Sequence, residues 1–290
     1  MTAITVIDAH HHVWDLGVRD QDWISGPAMA AIRRNFTVDD LRPLAQAAGV
    51  TGTVLVQTIT VAEETPEMLA IAEAERLVCG VVGWTDLSSP AVSERLAELT
   101  AGQGGEYLVA IRHQVQGEPD PDWLRRRDVV RGLRQVAAAG LAYDLVIRPE
   151  QLPSAAYAAS AVPELTFVLD HAGKPPIATG AVQPWARDIR AFATRPNTVC
   201  KLSGLVTEAA PGAATEAFEP YAAVILEAFG PARLMFGSDW PVCLLASDYA
   251  RVAELAHILM AGLSEIERED VFAGTAARVY GIAGSPAQLA

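Results

Sequence analysis

The sequence predicts an α/β protein of the (β/α)₈ or TIM barrel class, one domain over residues 1–290 with an extra C-terminal helix. Three observations carry that expectation. Short runs dense in β-branched and apolar residues recur along the chain, and stretches with apolar spacing of three and four separate them. No segment has the composition of an interdomain linker. A chain of 290 residues, 51% hydrophobic and 20% charged, has the size and core content of one such barrel.

The strand-like runs lie at 4–13, 53–59, 79–85, 107–115, 142–148, 165–171, 198–203 and 233–238. The first helix, over 38–48, has Thr37 as its N-cap and Gly49 as its stop. Helices over 66–76, 91–100 and 123–139 repeat the theme, the last halting at Gly140. Those at 155–161, 184–194, 215–229 and 249–259 complete eight strand–helix units in strict alternation. A final helix, over 264–280, is expected on the outside of the barrel. Turn-rich loops at 116–122 and 174–180 follow strands four and six, and 17–34, with Trp23, could cover the mouth as a lid.

Charge and termini narrow the function classes. A net charge of −13 with no basic run argues against nucleic acid or an anionic membrane as partner, since both need a basic face. The N-terminus lacks the features of a signal peptide and no apolar run approaches bilayer-spanning length, so a cytoplasmic location is expected. Cys79, Cys200 and Cys243 are odd in number and far apart, which offers neither a disulfide framework nor a zinc-knuckle spacing. All three read as small buried thiols, with Cys243 close to a strand end.

The chemistry concentrates where strands stop. The first strand reads Val6-Ile7-Asp8-Ala9-His10-His11-His12-Val13-Trp14. Alternation turns His10 and His12 to one side and His11 to the other. His171 and Asp239 stand at the ends of strands six and eight. A closed eight-strand ring gathers such ends around one mouth, where barrels keep catalytic groups. Three histidines and one carboxylate could hold one Zn²⁺ with a position open for water. Arg112, His113 and Gln114 end strand four as a polar cluster, and alternation sets His113 opposite the other two. Lys174 follows a turn glycine, and Trp14, Trp23, Trp84 and Trp240 lie near strand ends where they could stack on a sugar ring. Lys201 and Ser203 share a face of strand seven, and a lysine turned into a barrel must be ion-paired or functional.

The motifs Asp-x-His-x-His-x-Trp on strand one, Asp-His-x-Gly-Lys-Pro at 170–175, Lys-Leu-Ser-Gly at 201–204 and Gly-Ser-Asp-Trp-Pro at 237–241 together resemble the amidohydrolase superfamily. More closely they resemble its sugar-lactonase branch, with L-fuconolactonase-like and L-rhamnonolactonase-like enzymes, related to the pyrone-dicarboxylate lactonases. The resemblance spans nearly the whole chain. It matches His10 and His12 to the strand-one pair, His171 to the strand-six histidine and Asp239 to the strand-eight aspartate.

Binuclear members carry a carboxylated lysine on strand four and a histidine on strand five, where this chain has Ile111-Arg112-His113-Gln114 and Ala142-Tyr143-Asp144-Leu145. A two-metal site is therefore not expected. The resemblance implies a hydrolase that opens a small polyhydroxylated sugar lactone without requiring a metal, one Zn²⁺ being the most the site would take. It implies Asp239 as general base toward water and His10, His12 and His171 around the oxyanion. Arg112, His113, Gln114, Lys174, Trp14, Trp23 and Trp84 are the candidate substrate contacts. A zinc-dependent decarboxylase of the same superfamily is the rival, and such relatives carry an acidic residue where this chain has Lys174. An inactive binding barrel has no physical need to keep four clustered polar groups.

Overall fold

In the computed structural model, which describes residues 6–282, eight parallel strands form one sheet in the order β1 to β8. The strands are β1 (Val6–His11), β2 (Val50–Val56), β3 (Val78–Gly83), β4 (Leu108–His113), β5 (Ala142–Leu145), β6 (Phe167–Leu169), β7 (Thr198–Leu202) and β8 (Leu234–Phe236). The chain beyond β8 closes the ring. Asp239 N–H donates to the His10 carbonyl at 2.8 Å, and His12 N–H donates to that of Trp240 at 2.7 Å. The two strand ends that carry three of the four candidate residues are thus bonded directly to each other.

Each strand is followed by a helix: α1 (Val38–Ala47), α2 (Glu64–Ala74), α3 (Val92–Ala101), α4 (Arg127–Ala138), α5 (Leu152–Ala161), α6 (Trp185–Ala193), α7 (Glu219–Phe229) and α8 (Tyr249–Leu259). Thr37 caps α1 through a reciprocal box with Asp40. Glycines in the left-handed region, Gly49 and Gly140, follow α1 and α4. The helix expected over 123–139 is broken: Trp123–Arg125 form a 3₁₀ turn, and Arg126, extended at ψ 138°, separates it from α4. No described helix is long and apolar enough to cross a membrane.

Two apolar layers result. The outer core lies between strands and helices and holds Leu55, Ile111, Tyr143, Phe167 and Phe236. The inner one fills the barrel with mostly small residues, among them Ala9, Val54, Val82, Ala110, Ala142 and Val168. The expected final helix departs from the sequence reading in form and place. It is two helices, α9 (Glu265–Glu269) and α10 (Thr275–Tyr280), joined by one π turn at Asp270–Gly274. It does not lie on the outside: Ala273, Ala276 and Tyr280 pack with the inner cluster and floor the barrel. Alanines at 273, 276 and 277 allow that close approach, and Tyr280 reaches up from them.

Candidate active site

Strand β1 does not alternate simply. Its pairing with β2 shifts register between Asp8 and His11. Asp8 leaves the barrel to accept from Tyr249 of α8 at 3.0 Å and from Ser238 N–H at 2.8 Å. Ala9 belongs to the inner cluster. The bulge then returns His10 and His12 to the mouth, their Nε2 atoms 3.2 Å apart. His11 is turned away, wholly buried, and neither ring nitrogen bonds to a described residue.

His171 and Asp239 both sit in the left-handed region, at φ 53° and 57°. Non-glycine residues take that conformation only where the surroundings hold them there, at a cost of about 1–2 kcal/mol each. Two glycines make room for the rings. A Cβ on Gly204 would stand 2.5 Å from His171 Nδ1, and one on Gly237 would stand 2.7 Å from the Cβ of His10.

One oxygen of Asp239 is the meeting point. Its Oδ1 lies 3.6 Å from His12 Nε2, 3.8 Å from His10 Nε2 and 3.9 Å from His171 Nε2. The far nitrogens have partners as well. His12 Nδ1 is 2.7 Å from the Val56 carbonyl, which can only accept, so Nδ1 carries the proton there. His171 Nδ1 is 3.0 Å from Ser203 Oγ.

Burial would raise the Asp239 carboxyl, but the imidazoles of His171, His10 and His12 hold it below the usual carboxylate range. Burial pushes His171 down to about 4, against the pull of Asp239 and Asp170. It holds His10 well below its ordinary value too. At neutral pH the site is therefore an ionised carboxylate faced by the neutral imidazoles of His10 and His171.

Beneath it lies a dry array of ions. Arg112 donates to Asp170 Oδ2 at 2.9 Å and approaches His10 Nε2 at 3.4 Å. Lys201 Nζ lies 2.5 Å from Asp144 Oδ2, 3.1 Å from Asp170 Oδ1 and 3.2 Å from His10 Nδ1. Tyr280 of α10 donates to Asp144 from below, at 2.9 Å. Lys201, Asp144 and Asp170 have no exposure at all. Of the two outcomes the sequence left for an inward Lys201, ion pairing is the one observed.

The candidate substrate residues divide. Of the strand-four trio Arg112 reaches the histidines. His113 is on the far side, accepting from Trp84 Nε1 at 3.0 Å, facing Glu118 at 2.7 Å and stacked on Trp123. Gln114 donates to the Thr58 carbonyl. Lys174 is 3.7 Å from Glu208. Trp14 is buried edge-on against Trp23 and Phe36 and donates to the Arg34 carbonyl, and Trp23 donates to Gln21. Trp240 is buried against Phe36. A cavity of about 660 Å³ lies beside Trp14, Val18, Met68 and Ile71, and none of His10, His12, His171 and Asp239 lines it. The expected lid packs its 3₁₀ turn, Pro27–Ile32, on the turn Val242–Leu245 after β8.

Asp170, Asp144, Gln57 and Tyr280 were not singled out in the sequence. Gln57 accepts from Arg112 at 3.1 Å. Asp144 and Asp170 carried a signal: each is a carboxylate at an inward, alternate position of an otherwise apolar strand. Nothing in the helical spacing of α10 points to Tyr280.

The donor set suits one divalent ion. Ligands at about 2.1 Å in a tetrahedron stand about 3.4 Å apart; His10, His12 and Asp239 offer atoms 3.2–3.8 Å apart, and His171 Nε2 lies 3.9 Å from Asp239 Oδ1. The partners on the outer nitrogens are of the kind that orient metal-bound imidazoles. A second group, His10, Asp170 and His171, is close enough to be considered. Unlike the group of His10, His12 and Asp239, it includes Asp170, which already faces Arg112 and Lys201, whose charges repel another cation.

The protein resembles several known proteins over its length. It is 38% identical over 288 residues to an L-fucono-1,5-lactonase of Burkholderia multivorans, covering 95% of this chain and 96% of that one. An L-fucono-1,5-lactonase of Burkholderia ambifaria is 37% identical, with 95% of each chain covered. A crystal structure of a Burkholderia multivorans amidohydrolase with bound zinc superposes with a TM-score of 0.90 at 38% identity, over 96% of this chain and 99% of that one. The amidohydrolase family model matches residues 7–282, nearly all of the chain from the histidine strand to the floor helix, and the protein belongs to that family.

Proposed function

We propose that this protein hydrolyses a small polyhydroxylated sugar lactone to its hydroxy acid. The observation that carries this reading is the single Asp239 oxygen within 4 Å of three imidazoles. The relatives named as L-fucono-1,5-lactonases support the substrate class.

In this reading water attacks the lactone carbonyl carbon and its proton passes to Asp239. A carboxylate held this low stays ionised across the working pH but is a weak base, so position must serve where basicity does not. The carbonyl becomes a tetrahedral oxyanion, stabilised by His10, His171 and the nearby Arg112 guanidinium, while His12 presents an acceptor. The ring C–O bond then breaks, and the proton returns to the departing alkoxide to give the hydroxyl. A lactone is an activated ester, and these groups suffice for the steps without a metal.

An ion held by His10, His12, His171 and Asp239 would supply a more acidic bound water and a Lewis acid for the carbonyl. Lys174, facing Glu208, puts a cation where the decarboxylase reading needs an acid.

The test is a panel of aldonolactones with a pH dye reporting acid release. Turnover of one or more, unchanged after chelator treatment, is the expected result. No acid from any of them, with the protein folded, overturns the reading.

A further inference from the structure

The ammonium of Lys201 has three N–H donors and no acceptor. Asp144 Oδ2 accepts from it, His10 Nδ1 stands in hydrogen-bond geometry 3.2 Å away, and Asp170 Oδ1 is an ion partner at 3.1 Å that accepts no hydrogen bond. All of these groups are fully buried, so no solvent stands in for a missing partner. A second hydrogen bond from Lys201 forms only if His10 Nδ1 presents a lone pair. A proton on Nδ1 would instead face a Lys201 N–H head-on, leaving both a strained donor pair and an unsatisfied buried donor.

The other side of the ring agrees. The Val56 carbonyl fixes the His12 proton on Nδ1, so His12 Nε2 is an acceptor. It lies 3.2 Å from His10 Nε2, which can then donate to it. Asp170 Oδ1 lies 3.3 Å from His10 Nδ1 and 3.1 Å from Lys201 Nζ but accepts a hydrogen bond from neither. The donor-only Arg112, 3.4 Å from His10 Nε2, favours the opposite arrangement, through a longer contact than those of Lys201 and His12.

We propose that Lys201 is a positioning residue that locks His10 in the tautomer with its proton on Nε2. His10 thereby faces the reacting centre as a hydrogen-bond donor for a developing oxyanion, and its lone pair is withheld from a metal. Tyr280, through Asp144, holds the lysine in place from the barrel floor. The oxyanion role rests on the lactonase reading; the tautomer and its effect on metal affinity do not.

Imidazole ¹⁵N spectra of the full-length apoprotein decide the matter directly. There are six histidines, and a His10→Asn spectrum identifies the signals of His10. The expected result is a protonated Nε2 and a bare Nδ1 in the native protein. Lys201→Met moves the proton to Nδ1, against Asp170. Zinc alone, titrated by calorimetry, then binds at least about tenfold more tightly, the size of effect that outer partners of ligating histidines have.

With the best lactone, kcat falls and KM changes less, because the donor acts on the oxyanion. Since Lys201→Met leaves two carboxylates facing each other, Lys201→Met/Asp144→Asn serves as the second variant. A native His10 protonated on Nδ1 overturns the proposal whether or not either variant folds. So does a folded variant with the native tautomer and unaltered zinc affinity. If no lactone is hydrolysed, the spectra and the zinc titration still decide whether Lys201 sets the tautomer.

Discussion

Asp239 and His11 show two opposite uses of a buried ionisable group. Asp239 is ionised because three imidazoles face it, and Asp239→Asn keeps the shape while removing the charge and the proton acceptor. Turnover of the best lactone is expected to fall by roughly 10²- to 10⁴-fold with the circular dichroism spectrum unchanged. A near-native rate would remove Asp239 from the mechanism.

His11 is one residue from the pair yet has no bonding partner among the described residues, and burial pushes it down to about 3 from 6.5. Between those values the unfolded chain binds a proton that the folded chain refuses. Stability is therefore complete above pH 6.5 and lost progressively toward pH 3, by at most about 5 kcal/mol for this one group. His11→Leu should leave kcat intact and flatten the dependence of the denaturation midpoint on pH across that window. An equally steep profile in the variant would show that His11 does not sense the acid.

The elements themselves could be read largely from periodicity, and where that failed the reason is local. Strand β2 starts at Val50, before the expected 53, because the chain enters the sheet straight from the Gly49 turn. Strand β6 pairs over three residues only, since the left-handed His171 and Ala172 follow at once. Alternation was the right rule for His10, His11 and His12 but the wrong one for Asp8, because a bulge has no signature in hydrophobic pattern. Motif glycines were visible in the sequence, whereas their purpose needed coordinates. Gly237→Ala is expected to displace His10 and cut turnover by about 10²-fold or more, with a lowered melting temperature. Full activity in that variant would mean that His10 yields without consequence.

For the whole molecule, eight alternating units announced the barrel, and the ring brings β1, β6 and β8 residues that are up to 229 positions apart into one cluster. The ion array below them was hidden from the sequence because its members come from four separate strands and the floor helix. Only closure of the ring places them together. The same array bears on metal content. Elemental analysis of protein purified with zinc should return at most one ion per chain, since Arg112 and Lys201 hold Asp170 against a second. Two tightly held ions would contradict that assignment.

The floor made by α10 also sets an order of events during synthesis. Asp144 emerges from the ribosome long before Tyr280, its partner 136 residues later in the chain. Until α9 and α10 arrive, the nascent barrel has an open apolar bottom and an incompletely bonded carboxylate inside it. Such a chain has the features that recruit holdase chaperones. A version ending at residue 263 is therefore expected to stay bound to them or aggregate, and supplying 264–290 as a separate peptide should recover soluble protein. Should the truncated chain fold alone to a native melting temperature, α10 would be an ornament on a barrel that is complete without it.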